Sequence, residues 1–281
     1  MKKLLLILCV PLMVFGQTTF TPEQFGEHHF PYFRAGSYQY LIADDVNIRL
    51  GPSTKTSIVA SLPIGSRVKI IEELTYRYIY NNISFPWYKV SFILDNREKI
   101  GYVVGGFIAE EFFFPNEEIV KIDNDGLYQD TGLVFLLGIS EYYTGYQPNY
   151  QVRVAYQNKE IDKLEFFASE EGDQLYFDVT RNEDIGNGIY IIKSRFVVGA
   201  CYTQNNEVTV FFDDDKLYHI KTFSNEDEKY LGFKNGRIQL LKGYWYDDPN
   251  LPDSGYGDGN SYKEIVLEEY IWDGSRLQKI Y

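Results

Sequence analysis

The nonapeptide Phe233-Lys234-Asn235-Gly236-Arg237-Ile238-Gln239-Leu240-Leu241 reads as a β-hairpin. An aromatic residue stands five positions before an aliphatic one, with a polar tetrapeptide between them. Asn235-Gly236 suits a two-residue type I′ turn, whose central residues both need positive φ. Folding there sets Phe233 opposite Ile238, a cross-strand pair that contributes ~0.2–1 kcal/mol. Three more copies surround it. Tyr156 precedes Ile161 with a tip expected at Asn158-Lys159. Phe212 precedes Leu217 with a tip at Asp214-Asp215. Trp272 precedes Leu277 with a tip at Gly274-Ser275, suited to a type II′ turn. The intervals between copies are unequal, which describes a meander of similar hairpins and no fixed-period solenoid.

Outward from these hairpins the chain stays strand-rich. Turn signals at Asp125-Gly126, Glu171-Gly172, Asn187-Gly188 and Asn205-Asn206 cut it into strand-length pieces. No 12-residue stretch carries a helical period. Composition agrees: 25 Tyr and 20 Phe stand against 7 Ala, and aromatics fit pleated surfaces while Ala is the strongest helix former. The fold class expected is all-β, with residues 117–281 forming one antiparallel sheet, closed as a barrel or folded as a sandwich. Acidic pairs at Glu110-Glu111 and Glu117-Glu118 flank the triplet Phe112-Phe113-Phe114 and mark a domain boundary. A triplet that apolar argues that the two domains pack together.

Residues 1–16, MKKLLLILCVPLMVFG, combine two lysines with a short apolar run and read as a signal peptide cut before Gln17. The run is short of the ~20 residues that span a bilayer. The expectation is a periplasmic or secreted protein with no integral membrane segment once the signal is removed. Residues 17–38 form an N-terminal segment. The 281 residues carry a net charge of −13, and without Lys2 and Lys3 the balance is 25 basic against 40 acidic. Phosphate contacts need Lys or Arg, so nucleic acid is not an expected partner. Only Cys201 remains after signal removal. It reads as a small buried hydrophobe within Val197 to Cys201, and no intramolecular disulfide is possible.

Residues 39–112 hold the one familiar module. Val46-Asn47-Ile48-Arg49-Leu50-Gly51-Pro52-Ser53 alternates apolar and polar residues and then breaks at Gly51-Pro52. Ile58 to Leu62 leads to a turn at Gly65 and a strand through Val68 and Ile70. Trp87-Tyr88-Lys89-Val90 and Gly101-Tyr102-Val103 follow. These four blocks, in this order, resemble the bacterial SH3-like (SH3b) family, with Tyr102 where a Trp is usual. The resemblance implies a small barrel and a binding role, often the docking of cell-wall peptides. An insertion from Thr75 to Phe85 departs from the family pattern.

That insertion supplies the expected ligand-binding residues. Tyr76, Tyr78 and Tyr80 alternate, so an extended strand puts three rings on one face, with Trp87 and Tyr88 nearby. The same rings also suit half-buried packing on the second domain. Arg49 fits the reading of a ligand carboxylate, or a structural pair within the barrel.

No catalytic residue, metal site or cofactor is assigned. His28 and His29 point to opposite faces of a strand, and neither belongs to a metal-binding pattern. Cys201 and His219 lack a nucleophile signature. The loop from Asp247 to Asn260 reads as a solvated acidic loop, with calcium as the other option. The sequence therefore describes a non-enzymatic binding or interaction protein of the cell envelope, with cell-wall peptide or an envelope protein as partner. The alternatives are an envelope hydrolase with an unrecognised site in the C-terminal domain, and a protein inhibitor or accessory subunit.

Overall fold

The computed structural model describes residues 33–80, 83–115, 121–122, 128–129, 132–143, 147–167, 174–185, 189–198, 204–223, 229–247 and 260–280. The signal-peptide residues, His28, His29, Cys201, the interior of the acidic loop and three of the expected turns (Asp125-Gly126, Glu171-Gly172, Asn187-Gly188) lie outside them. Every paired strand is antiparallel, and the helical element among the described residues is one 3-10 turn, Gly105–Phe107.

Six strands build the first body: β1 (Tyr38–Tyr40), β2 (Val46–Arg49), β3 (Ile58–Leu62), β4 (Arg67–Tyr80), β5 (Ile83–Leu94) and β6 (Arg97–Val104). They form one curled sheet in the order β1-β4-β5-β6-β2-β3. Alternation explains its core. Val46 and Ile48 point inward while Asn47 is exposed, and Val68 and Ile70 flank an exposed Lys69. They meet Tyr88, Val90 and Phe92 from β5. Gly101 lets β6 lie close to β2, because a Cβ there would stand 2.4 Å from Ile48 Cγ2.

The remainder read as a single sheet from sequence; the structure divides it into three four-stranded sheets and a short pair. β7 (Glu111–Phe113), β10 (Leu133–Tyr143), β11 (Gln147–Tyr156) and β12 (Lys159–Phe167) make the first, in the order β12-β11-β10-β7. β8 (Lys121–Ile122) and β9 (Tyr128–Gln129) pair with each other. β13 (Gln174–Asn182), β14 (Ile189–Val198), β15 (Gln204–Asp213) and β16 (Lys216–Phe223) make the second. β17 (Lys229–Lys234), β18 (Arg237–Asp247), β19 (Asn260–Trp272) and β20 (Leu277–Lys279) make the third. β7 thus belongs to the first of these sheets, although the sequence reading set residues 111–112 in the SH3-like module.

The sheets are stacked. Phe135, Leu137, Val152 and Val154 of the first meet Ile192, Val210 and Phe212 of the second across a shared core. The other face of the second sheet, through Ile191 and Phe211, packs on Leu231, Ile238 and Leu240 of the third. A sheet covered on both faces needs continuous apolar runs, and Ile189 to Ile192 and Val208 to Phe212 supply them. The first two sheets form a sandwich whose edges approach each other, β12 beside β16 and β7 beside β13. Asp162 Oδ2 accepts the backbone N–H of Leu217 across one seam at 2.8 Å.

Three of the four expected hairpin registers are present. Phe212 pairs with Leu217, Phe233 with Ile238 and Trp272 with Leu277. Asp214, Asp215, Asn235 and Gly236 all have positive φ, as type I′ tips require. The first hairpin is a correction. Its tip is Gln157-Asn158, and Tyr156 faces Lys159 instead of Ile161. A tip at Asn158-Lys159 would put Lys159 at positive φ, whereas the observed register gives that conformation to Asn158, which tolerates it better. Asn205-Asn206 is likewise no turn: both residues lie within β15, paired with Val197 and Phe196. The chain reverses between Val198 and Gln204 instead.

Candidate binding surface on the SH3-like domain

The Thr75–Phe85 insertion is the far end of the β4–β5 hairpin, where Tyr80 pairs with Ile83 and Tyr78 with Phe85. A register irregularity between Glu73 and Arg77 separates it from the barrel proper. The second strand of this extension is anchored. Ile83, Phe85 and Trp87 are buried in the core shared with Phe135 and Leu137 of the first four-stranded sheet. The hairpin therefore reaches out of its own domain and is held by its neighbour.

The expected site residues separate on this frame. Tyr76 is 62% exposed and Tyr80 41% exposed. Tyr78 is half-buried, with its ring edge-on to Trp87 at 6.2 Å and packed on the shared core. Tyr80 lies 5.4 Å from the Phe107 ring. Trp87 and Tyr88 are not exposed beside them, and that expectation is corrected. They are 3% and 1% exposed, and as neighbours on one strand they enter different cores. Tyr88 packs edge-on to Phe33 at 5.2 Å and donates its hydroxyl proton to Glu73 Oε2 at 2.9 Å. Burial and the Glu73 carboxylate raise the Tyr88 pKa well above the usual phenol range. Arg49 lies on β2, which is not a neighbour of β4 in the sheet. Its Nη1 donates to the Thr56 carbonyl at 2.8 Å, the structural use of this side chain. Tyr76 and Tyr80, with Ile79 53% exposed between them, are what remains on the surface.

Beside this hairpin is a feature the sequence reading did not single out. Where the SH3-like domain joins the first four-stranded sheet, Phe33, Phe85, Tyr88, Gly105, Gly106 and Glu110 help to line a crevice with room for about one water molecule. Glu110 sits at the joint. Its N–H donates to the Leu137 carbonyl at 2.8 Å, and its carboxyl accepts the Ile139 N–H. The residue retains some surface, but the carboxyl itself lies deep among packed groups. Burial, and secondarily the neighbouring Glu111 charge, push its pKa up to about 8. Burial also raises the Glu111 pKa. The available signal was Glu110-Glu111 directly before three phenylalanines, a carboxylate pair drawn into apolar surroundings.

His219 is exposed on β16, with Nε2 2.9 Å from Thr222 Oγ1, and desolvation lowers its pKa. Among the described residues no group of three or more His, Cys, Asp or Glu side chains could hold a metal ion, and no helix is long and apolar enough to cross a membrane.

A small, curled antiparallel sheet with this strand order belongs to the SH3-like class of binding modules. Residues 44–109 match the family model of the bacterial SH3 domain, so this part of the chain is one. Such domains are cell-wall-binding or protein-interaction modules. No curated protein and no solved structure matches the chain.

Proposed function

We propose that the protein is an exported, non-enzymatic binding protein of the bacterial cell envelope. Its SH3 domain docks a wall peptide or an envelope protein through the outer end of the β4–β5 hairpin. The observation that carries this reading is that Tyr76 and Tyr80 stay exposed on a hairpin whose second strand is anchored in a buried core through Ile83, Phe85 and Trp87. Rings presented on an anchored strand bind with little loss of conformational freedom. Tyrosine also combines an apolar face with a polar tip, which suits peptide contacts. The acidic chain favours neutral or cationic targets over polyanions. The lysine-led apolar segment at residues 1–16 supports export.

Retention of the purified protein on cell-wall sacculi, run beside capture from an envelope lysate, tests the reading. Tyr76→Ala and Tyr80→Ala should each weaken retention, by roughly 1–3 kcal/mol where the ring is a central anchor, without loss of folding. Full retention by the double variant would reject the hairpin as the docking surface. Mass spectrometry of the native protein checks export: a mature chain starting near Gln17 is expected, and an intact Met1 in the cytoplasm opposes it.

A further inference from the structure

We propose that the crevice where the SH3 domain meets the first four-stranded sheet is a subsite for a primary ammonium group on a peptide ligand, with the Glu110 carboxylate as its counter-charge. The proposal rests on the envelope-peptide reading above and specifies the chemistry of the ligand. Four observations point to it.

The first is charge. The Glu110 carboxyl lies deep, beside Glu111, and no cationic side chain interacts with it among the described residues. A buried acid in that position either keeps its proton or receives a cation from outside. The second is size. The crevice has room for about one water molecule, and an ammonium head is of similar size. The third is the wall. Phe33, Phe85 and Tyr88 bring aromatic rings to the lining, and ring faces attract ammonium groups. Gly105 and Gly106 let these rings pack against the turn, because a Cβ on Gly106 would stand 2.6 Å from the Phe85 ring and one on Gly105 3.0 Å from Tyr88. The fourth is position. Phe107, next to Gly106, carries Tyr80 against its ring, so the crevice adjoins the exposed tyrosine surface.

The exchange balances as one proton out for one ammonium in. At neutral pH, without bound ammonium, Glu110 is the carboxylic acid. Binding releases that proton to solvent and leaves a carboxylate paired with the ammonium. Proton and amine therefore compete, and binding strengthens as pH rises from 6 to 8. It weakens near pH 10, where a lysine amine loses its own proton. The titratable groups around Glu110 are Glu111, next to it at the start of β7, and Tyr88 from β5, with Glu73 and Arg77 of β4 behind Tyr88. Tyr88 stays protonated throughout this range.

The test uses the full chain and two capped tripeptides, acetyl-Ala-Lys-Ala-amide and its norleucine counterpart, followed by isothermal titration calorimetry. The lysine peptide should bind saturably and the norleucine peptide should not. At pH 6 the measured heat should depend on the ionisation heat of the buffer, corresponding to about one proton released. Affinity should rise by up to about tenfold per pH unit between 6 and 8. Methylammonium should compete. Glu110→Gln should abolish binding while its melting temperature at pH 4 stays close to the parent's. Equal binding of both peptides, no buffer dependence, undiminished binding by Glu110→Gln, or no saturation by about 50 mM would each overturn the subsite. Should Glu110→Gln not fold, proton release and methylammonium competition in the parent protein still decide. Sacculus retention of Tyr76→Ala and Tyr80→Ala is a separate readout, so the envelope reading and the ammonium subsite fail independently.

Discussion

Gly101 shows how much one missing methyl group decides in this molecule. A Cβ there would lie 2.4 Å from Ile48 Cγ2 and 3.0 Å from the Arg49 carbonyl, both fixed by the barrel core. Gly101→Ala is expected to destabilise the protein by about 1–3 kcal/mol through overpacking, measured by urea unfolding. Tyr78 shows a division of labour between alternate residues of one strand. Its ring is committed to Trp87 and the shared core, while Tyr76 and Tyr80 are largely free of it. Tyr78→Ala should therefore lower the melting temperature more than Tyr76→Ala does, and its effect on ligand retention should follow stability. A Tyr76→Ala protein melting below Tyr78→Ala would reverse that assignment. The sequence presented the three tyrosines as equivalent because alternation fixes which residues share a side. It does not fix what covers that side.

Among the elements, the seam between β12 and β16 is held by a side chain in place of a ladder. Asp162 Oδ2 accepts the N–H of Leu217, a residue 7% exposed. Asp162→Ala would leave that N–H without its partner, and a loss of about 1–3 kcal/mol is expected. Hydrogen exchange would show it as faster exchange at Leu217 while the β17–β18 hairpin remains protected. The hairpins themselves were legible from sequence wherever the tip residues accept positive φ. Asp214-Asp215 and Asn235-Gly236 do, and their registers follow. Gln157-Asn158 was missed by one residue, since Asn158 serves either position of a two-residue tip and the choice was made by strand pairing, which also carries an irregularity between Val154 and Ala155. At the last tip, Asp273 accepts the N–H groups of Ser275 and Arg276 and the Gln278 amide, and these bonds hold its carboxyl well below the usual range.

Across the whole molecule these carboxylates act in opposite directions with pH. A lowered carboxyl pKa, as at Asp273, Glu268 and Glu269, contributes stability above its ordinary value near 4 that is lost on acidification. A raised one does the reverse. Glu110 moves from an ordinary 4.5 to about 8 on folding, so the folded state holds this proton more tightly than the unfolded state. Its contribution is fully present below about 4.5 and is lost as pH rises towards and through 8. Thermal unfolding across pH 4–9 should show a melting temperature that falls through that alkaline limb, and Glu110→Gln should flatten it. An unchanged slope in the variant would assign the limb to other groups.

By itself the sequence determined the all-β class, the SH3 module through its ordered strand blocks, and three hairpin registers. These features are local: alternation sets the side of a strand, and turn chemistry sets where it reverses. The tertiary structure decided how the strands after Phe114 divide into three stacked sheets, that Trp87 and Tyr88 enter separate cores, and that Glu110 sits at a domain joint. Neighbouring residues on a strand face opposite layers, and what lies in each layer comes from segments far along the chain. Burial, and with it the chemistry of a carboxyl or an aromatic ring, is fixed only when those layers meet.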